Sequence, residues 1–158
     1  MLKLLGALIV FATFFEAGRR KAQKLSDRVK DLLGLEDGLI IMQNEISGLM
    51  STLPEAVSKA ACCSPIFIKV SENLSAMSPK EAFEKASEVL EKDERRIIMS
   101  FASGLLADDA QGQLRNISVC RERLSMVRDK AEKKRDALSK LYTAAGALAG
   151  AAVVIILL

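Results

Sequence analysis

The stretch 35–53, LEDGLIIMQNEISGLMSTL, decides the fold class. Leu35, Leu39, Met42, Ile46, Leu49 and Leu53 recur at alternating spacings of four and three, which lays one apolar stripe along one face of a helix. No alternation of period two competes with it. Upstream, Leu25, Val29 and Leu32 continue the spacing, with Gly34 and Gly38 expected to break or bend the helix.

Downstream of that stripe, Thr52-Leu53-Pro54-Glu55 has the form of a capping box. The Thr52 hydroxyl accepts from a free helical N–H, and Glu55 reaches back to the cap. Pro54 suits a first turn, where its missing N–H costs nothing. Ser78-Pro79-Lys80-Glu81 repeats the arrangement, with Ser78 as cap, and opens a helix whose buried face is expected to carry Ala82, Phe83, Ala86, Val89 and Leu90. Ser64-Pro65 marks a start between the two. The stretches STLPEAVSKA (51–60) and MSPKEAFEKA (77–86) share the order cap, Pro, Glu, Ala, apolar residue, a faint internal similarity. Ile97, Ile98, Phe101 and Leu105 outline a further helix ending near 107–109. From there Leu114, Ile117, Cys120, Leu124, Val127, Ala131, Leu138 and Leu141 keep an approximate heptad rhythm to the C-terminal run. The expected fold is all-α: an antiparallel bundle of about six helices joined by short turns, with hydrophobic helical segments at both termini.

Charge divides the chain. Of 23 basic and 20 acidic residues, all but Lys3 fall between Glu16 and Lys140, so both ends are apolar and the centre is water-soluble. The run 141–158, LYTAAGALAGAAVVIILL, has no charge, and as a helix it is about 27 Å long, close to the ~30 Å hydrocarbon thickness of a bilayer. The N-terminal apolar run 4–15 is shorter than the ~17 residues usually needed, although 1–18 nearly suffices if Lys3 snorkels. A cleaved signal peptide would share the short apolar run, but Glu16-Ala17-Gly18-Arg19-Arg20-Lys21 offers no A-x-A-like site, and its basic residues oppose translocation. The expected organisation is therefore an uncleaved membrane anchor at 1–18, a cytoplasmic helical bundle at 19–140 and a transmembrane helix at 141–158. Arg19, Arg20, Lys21 and Lys24 on one side, and Lys130, Lys133, Lys134, Arg135 and Lys140 on the other, place the centre on the cytoplasmic face. Gly146 and Gly150 form a G-x-x-x-G pair within an Ala-rich surface, a face that admits a second helix at close range. Its partner is either the chain's own N-terminal segment or another copy, which would give a homo-oligomer.

The chemistry of catalysis is missing. The chain has no His, which removes the commonest general base, and neither phosphate-cradling glycine loop is present. Cys62, Cys63 and Cys120 have no metal-ligand spacing and read as small apolar residues, with a redox role for the adjacent pair as the alternative. A net charge of +3 without a localised patch does not call for nucleic acid. No enzyme activity, metal or cofactor is expected; the expected partners are the lipid bilayer and other proteins. Glu45, Glu55, Asp108, Asp109 and Gln113, charged or polar residues near helix ends, are the candidate protein contacts. Thr52, Glu55, Ser78 and Glu81 are the helix caps.

The opening MLKLLGALIV followed by basic residues, QNEISGLMSTLPEA at 43–56, SPKEAFEKA at 78–86 and the ending KLYTAAGALAGAAVVIILL together resemble the stage III sporulation protein AB family of endospore-forming bacteria. GLLADDAQGQ at 104–113 departs from the family pattern, with Asp108 and Asp109 where a polar cap follows a Leu-Gly turn. That family is similar to the six-helix cytoplasmic domains of the inner-membrane platform protein of type II secretion and type IV pilus machines, and GLMSTLPEA at 48–56 is similar to one of their helical turns. The resemblance implies a component of the stage III sporulation complex, a secretion-like transenvelope channel between mother cell and forespore. It would sit in the outer forespore membrane with its bundle in the mother-cell cytoplasm, near the complex's cytosolic ATPase and other subunits. A second reading of the residues is a pore-former that lines a conduit with its own terminal segments, although neither end carries the intramembrane polar residues that mark such a path. A third is a secreted helical protein with a cleaved leader.

Overall fold

A computed structural model describes the backbone of residues 2–105 and 109–157 and, within these, the side chains other than those of 2–5, 7, 8, 10, 110, 156 and 157. Among the described residues the protein is almost wholly helical, with no strand. Two long helices, α1 (Leu2–Gly48) and α6 (Ala110–Leu157), enclose four shorter ones in sequence: α2 (Leu53–Ala60), α3 (Pro65–Asn73), α4 (Pro79–Ala86) and α5 (Lys92–Gly104). A single 3-10 turn, Ser87–Val89, follows α4.

The chain's three prolines all stand in first turns, at the starts of α2, α3 and α4, where φ is already helical and no N–H is needed. Ser64, itself buried, caps α3 by accepting from the Ile66 N–H at 3.4 Å. At α4 the box is complete: Glu81 N–H donates to Ser78 Oγ, while the Ser78 N–H and hydroxyl donate to Glu81 Oε2 at 3.0 and 2.8 Å. At α2 the Glu55 carboxylate accepts from the Thr52 N–H and hydroxyl at 2.8 and 2.9 Å.

Two compact units emerge, one of residues 1–30 with 129–158 and one of 31–128. Positions 18 and 140, where the sequence suggests boundaries, lie inside the continuous helices α1 and α6. In the second unit, Gln43 accepts from Arg121 at 2.8 Å and Glu36 pairs with Arg128 at 2.7 Å. Each pair steps seven residues on both helices in opposite senses, so α1 and α6 run antiparallel there. The core of this unit is built from Leu32, Leu35, Leu39, Met42 and Ile46 of α1, with Ile117, Cys120 and Leu124 of α6, all buried. Phe67, Phe83 and Phe101, one from each of α3, α4 and α5, meet edge to face beside them.

Three expectations need correction. Gly34 and Gly38 do not break the first helix. Both lie within α1 and instead provide room: a Cβ at Gly34 would strike the Cys63 carbonyl, and one at Gly38 the Phe67 ring. Val89 is not on a buried face, because α4 ends at Ala86 and the following 3-10 turn rotates it outward to 65% exposure; Leu90 is only half-buried. Apolar segments at both termini are not both found. Among the described residues only the C-terminal helix is long and apolar enough to cross a membrane. The N-terminal run belongs to α1, and most of its first ten side chains lie outside the described residues.

Candidate functional site

In the unit of 1–30 and 129–158, small residues let two backbones meet. The Gly18 Cα lies against Tyr142 and Gly146, so that a Cβ added at Gly18 would stand 2.5 Å from the Tyr142 carbonyl. A Cβ at Gly146 would stand 2.9 Å from the Phe14 carbonyl, and one at Gly150 2.9 Å from the Phe11 ring. The G-x-x-x-G pair thus faces α1 of the same chain, again with the two helices antiparallel. Gly18, which the sequence marks only as the end of an apolar run, is the third member of this contact. Its signal was its setting, the glycine of a small Ala17-Gly18 pair between Phe14, Phe15 and a basic cluster. Tyr142 carries the Lys21 ammonium 5.7 Å from its ring centre. The most apolar 18-residue window of α6 has a mean hydropathy of 1.5 and is only 11% buried, so its surface is directed outward.

In the unit of 31–128, the sharpest local feature is the corner between α1 and α2. The Leu49 and Ser51 N–H groups both donate to the Glu45 carbonyl, at 3.1 Å each, which turns the chain and ends the helix. Met50 takes the left-handed conformation, φ 52°, that a glycine would adopt without cost. The Ser51 hydroxyl donates to Glu45 Oε2 at 2.9 Å, and one residue later Thr52 and Glu55 start α2. This geometry brings Glu45 and Glu55 onto one corner. It also turns Leu49 and Met50 outward, at 71% and 89% exposure, although the period-3.6 reading put Leu49 in the stripe.

The remaining candidate contacts sit at the other long helix. Asp109 is exposed and begins α6: its Oδ1 accepts from the Gly112 N–H at 2.9 Å and its carbonyl from the Gln113 N–H at 3.0 Å. Gln113 is half-buried in the first turn. Asp108 lies outside the described residues. A cap absent from the sequence reading is Glu94, which is buried and accepts from the Glu91 N–H at 2.9 Å to start α5. Glu91-Lys92-Asp93-Glu94 has the spacing of a capping box with an unusual carboxylate at the cap, which hid it.

Glu55 titrates below the ordinary glutamate value of 4.5, chiefly because the Thr52 N–H and then its hydroxyl hold the charged form. Glu81 is lowered the same way by the Ser78 hydroxyl and N–H. With a folded pKa below the unfolded one, each box stabilises the fold above the unfolded value and loses that contribution as the pH falls through the folded value. Thermal melts across an acid series should therefore show the parent's advantage over a Glu55→Gln/Glu81→Gln variant above pH 4.5 and its disappearance below. A constant gap at all pH values would refute the boxes as ionic caps. Ser78→Ala at neutral pH should cost about 1 kcal/mol.

Searches of curated proteins and of solved structures return no match. The family model of stage III sporulation protein AB matches residues 3–158. This is a sporulation family and not a known enzyme family. With a match that runs through both long helices and all four short ones between them, the chain belongs to the stage III sporulation protein AB family.

Proposed function

We propose that the protein is a non-catalytic structural subunit of the stage III sporulation complex, a secretion-like transenvelope channel between mother cell and forespore. It is held in the outer forespore membrane by its C-terminal helix, with the bundle of residues 19–140 in the mother-cell cytoplasm. There it acts as a platform that docks the complex's cytosolic ATPase and other subunits, in the manner of type II secretion platform domains. The family, the one helix among the described residues apolar enough to cross a bilayer and the basic residues flanking it support this reading.

One observation carries the docking role. Leu49 and Met50 present two large apolar side chains to solvent on a corner whose backbone is held in a costly left-handed turn at Met50. An exposed apolar patch framed by polar groups, here Glu45 and Glu55, is the ordinary signature of a protein contact. The full chain in detergent, immobilised and titrated with the purified ATPase of the complex, should bind it. A Leu49→Ser/Met50→Ser variant with an unchanged melting temperature should bind at least about 10-fold more weakly. Equal binding by that variant would remove the corner from the docking site, and no binding by the parent would remove the platform role.

A further inference from the structure

Two thiols stand side by side on the turn between α2 and α3. Cys62 Sγ and Cys63 Sγ are 3.7 Å apart, and the Cys62 thiol lies 3.3 Å from the Lys59 carbonyl, to which it donates. Cys62 is exposed and Cys63 half-buried. The turn is fixed from behind, since its Cys63 carbonyl packs where Gly34 of α1 has no side chain. It is fixed from the front as well, since the next residue, Ser64, is buried and caps α3. The third thiol, Cys120, is shut inside the core, and burial pushes its pKa up to about 12.

The spacing selects among the reactions open to such a pair. Neighbouring Cα atoms across a trans peptide are about 3.8 Å apart. That is shorter than the roughly 4.4–6.8 Å common in disulfides, so a direct S–S bond would close a strained ring. A single soft atom bonded to both sulfurs needs far less contraction: two bonds of about 2.3 Å at the pyramidal angle of a trivalent centre, about 100°, hold the sulfurs about 3.5 Å apart, against 3.7 Å here and about 2 Å in a disulfide. We propose that Cys62 and Cys63 form a dithiol site for a soft thiophilic centre of the trivalent arsenical class, bound through both sulfurs at once.

The chemistry is balanced without an oxidant or a base. An arsenoxide R–As=O reacts with the two thiols to form two As–S bonds; both S–H bonds break, and the oxygen leaves as water with the two protons. Arsenic stays trivalent throughout. A divalent metal cation is a poorer occupant for two reasons. It must displace both protons into solvent, while burial, the Cys62 thiol and Asp37 all raise the Cys63 pKa and hold its proton. Among the described residues, moreover, no group of three or more His, Cys, Asp or Glu side chains is placed to hold a metal ion.

The test uses the full chain, reduced and in detergent, with one equivalent of phenylarsine oxide. Intact mass should rise by one phenylarsine oxide less one water per adduct. The adduct should be reversed by a dithiol and not by a monothiol at equal thiol concentration. Cys62→Ser and Cys63→Ser should each weaken binding by about 100-fold, because the second bond then has no intramolecular partner, whereas Cys120→Ser should leave it unchanged. Cys62 is exposed, so its serine variant, checked by circular dichroism, decides the outcome even if Cys63→Ser folds poorly. Absence of an adduct on the parent, full affinity in Cys62→Ser, or loss of binding in Cys120→Ser would each overturn the site.

Discussion

Phe83→Ala is expected to destabilise the unit of 31–128 by about 3–5 kcal/mol, the usual cost of emptying a buried aromatic site. Phe83 is fully buried, with its ring centre 5.3 Å from that of Phe101 and 6.3 Å from that of Phe67, both nearly perpendicular. It is the middle member of the aromatic cluster that joins α3, α4 and α5, so its loss removes two favourable edge-to-face contacts and leaves a void between three helices. The surroundings can collapse little. Phe67 is seated on the backbone of α1 at Gly38, and Phe101 lies on α5, whose start is fixed by the Glu91–Glu94 cap. Domains are commonly stable by only about 5–15 kcal/mol, so the melting temperature should fall by about 15 °C or more. Val89→Ala supplies the contrast, since at 65% exposure it should change stability by less than about 0.5 kcal/mol. Denaturation of both variants in detergent, followed by far-ultraviolet circular dichroism, checks the pair. Similar losses for the two would mean that Val89 packs in the core as periodicity suggests.

That contrast shows where the sequence is legible and where it is not. The stripe Leu35, Leu39, Met42 and Ile46 is readable because a helix interior has one period, and all four are buried. The starts of α2, α3 and α4 are readable because Thr52, Ser64 and Ser78, each followed by a proline in the first turn, carry their hydrogen bonds within a few residues. Local rules fail where a distant segment decides. Gly34 and Gly38 have the intrinsic preferences of breaks, but the gain from seating the Cys63 carbonyl and the Phe67 ring against α1 exceeds the roughly 1 kcal/mol per glycine that the helix loses. Leu49 fits the stripe, yet the helix ends before it because Met50 turns left-handed, a choice no propensity favours for methionine. Of the candidate contacts, Glu45 and Glu55 are joined to one corner by the turn itself, whereas Asp109 serves α6 as a cap. Their polar character was visible in the sequence; their grouping depends on how the helices end.

Gly146→Leu is the second substitution expected to have a large effect, and its sign runs against helix propensity. Replacing a helical glycine by leucine should favour α6 by somewhat under 1 kcal/mol. At 146, however, the first carbon of the new side chain would meet the Phe14 carbonyl at 2.9 Å and the Gly18 Cα at 3.2 Å. Both obstacles are backbone of α1, which cannot rotate away as a flexible side chain could. The two helices must part along this contact, giving up the packing of Gly18 on Tyr142 and of Phe11 on Gly150 as well, so a net loss of about 3 kcal/mol or more is expected. Gly18→Leu should cost as much, and the double variant scarcely more than either single one, because one separation relieves both clashes. Gly6→Leu is the matched control: nothing lies within 4 Å of its added carbon, so only the propensity gain should remain. Thermal unfolding in detergent reads the differences, and light scattering reads the mass of the particle. If the glycine face mates with α1 of its own chain, Gly146→Leu lowers stability while the particle mass stays the same. A fall in mass with unchanged unfolding would instead assign the face to a second copy and refute the intrachain contact between Gly18 and Gly146.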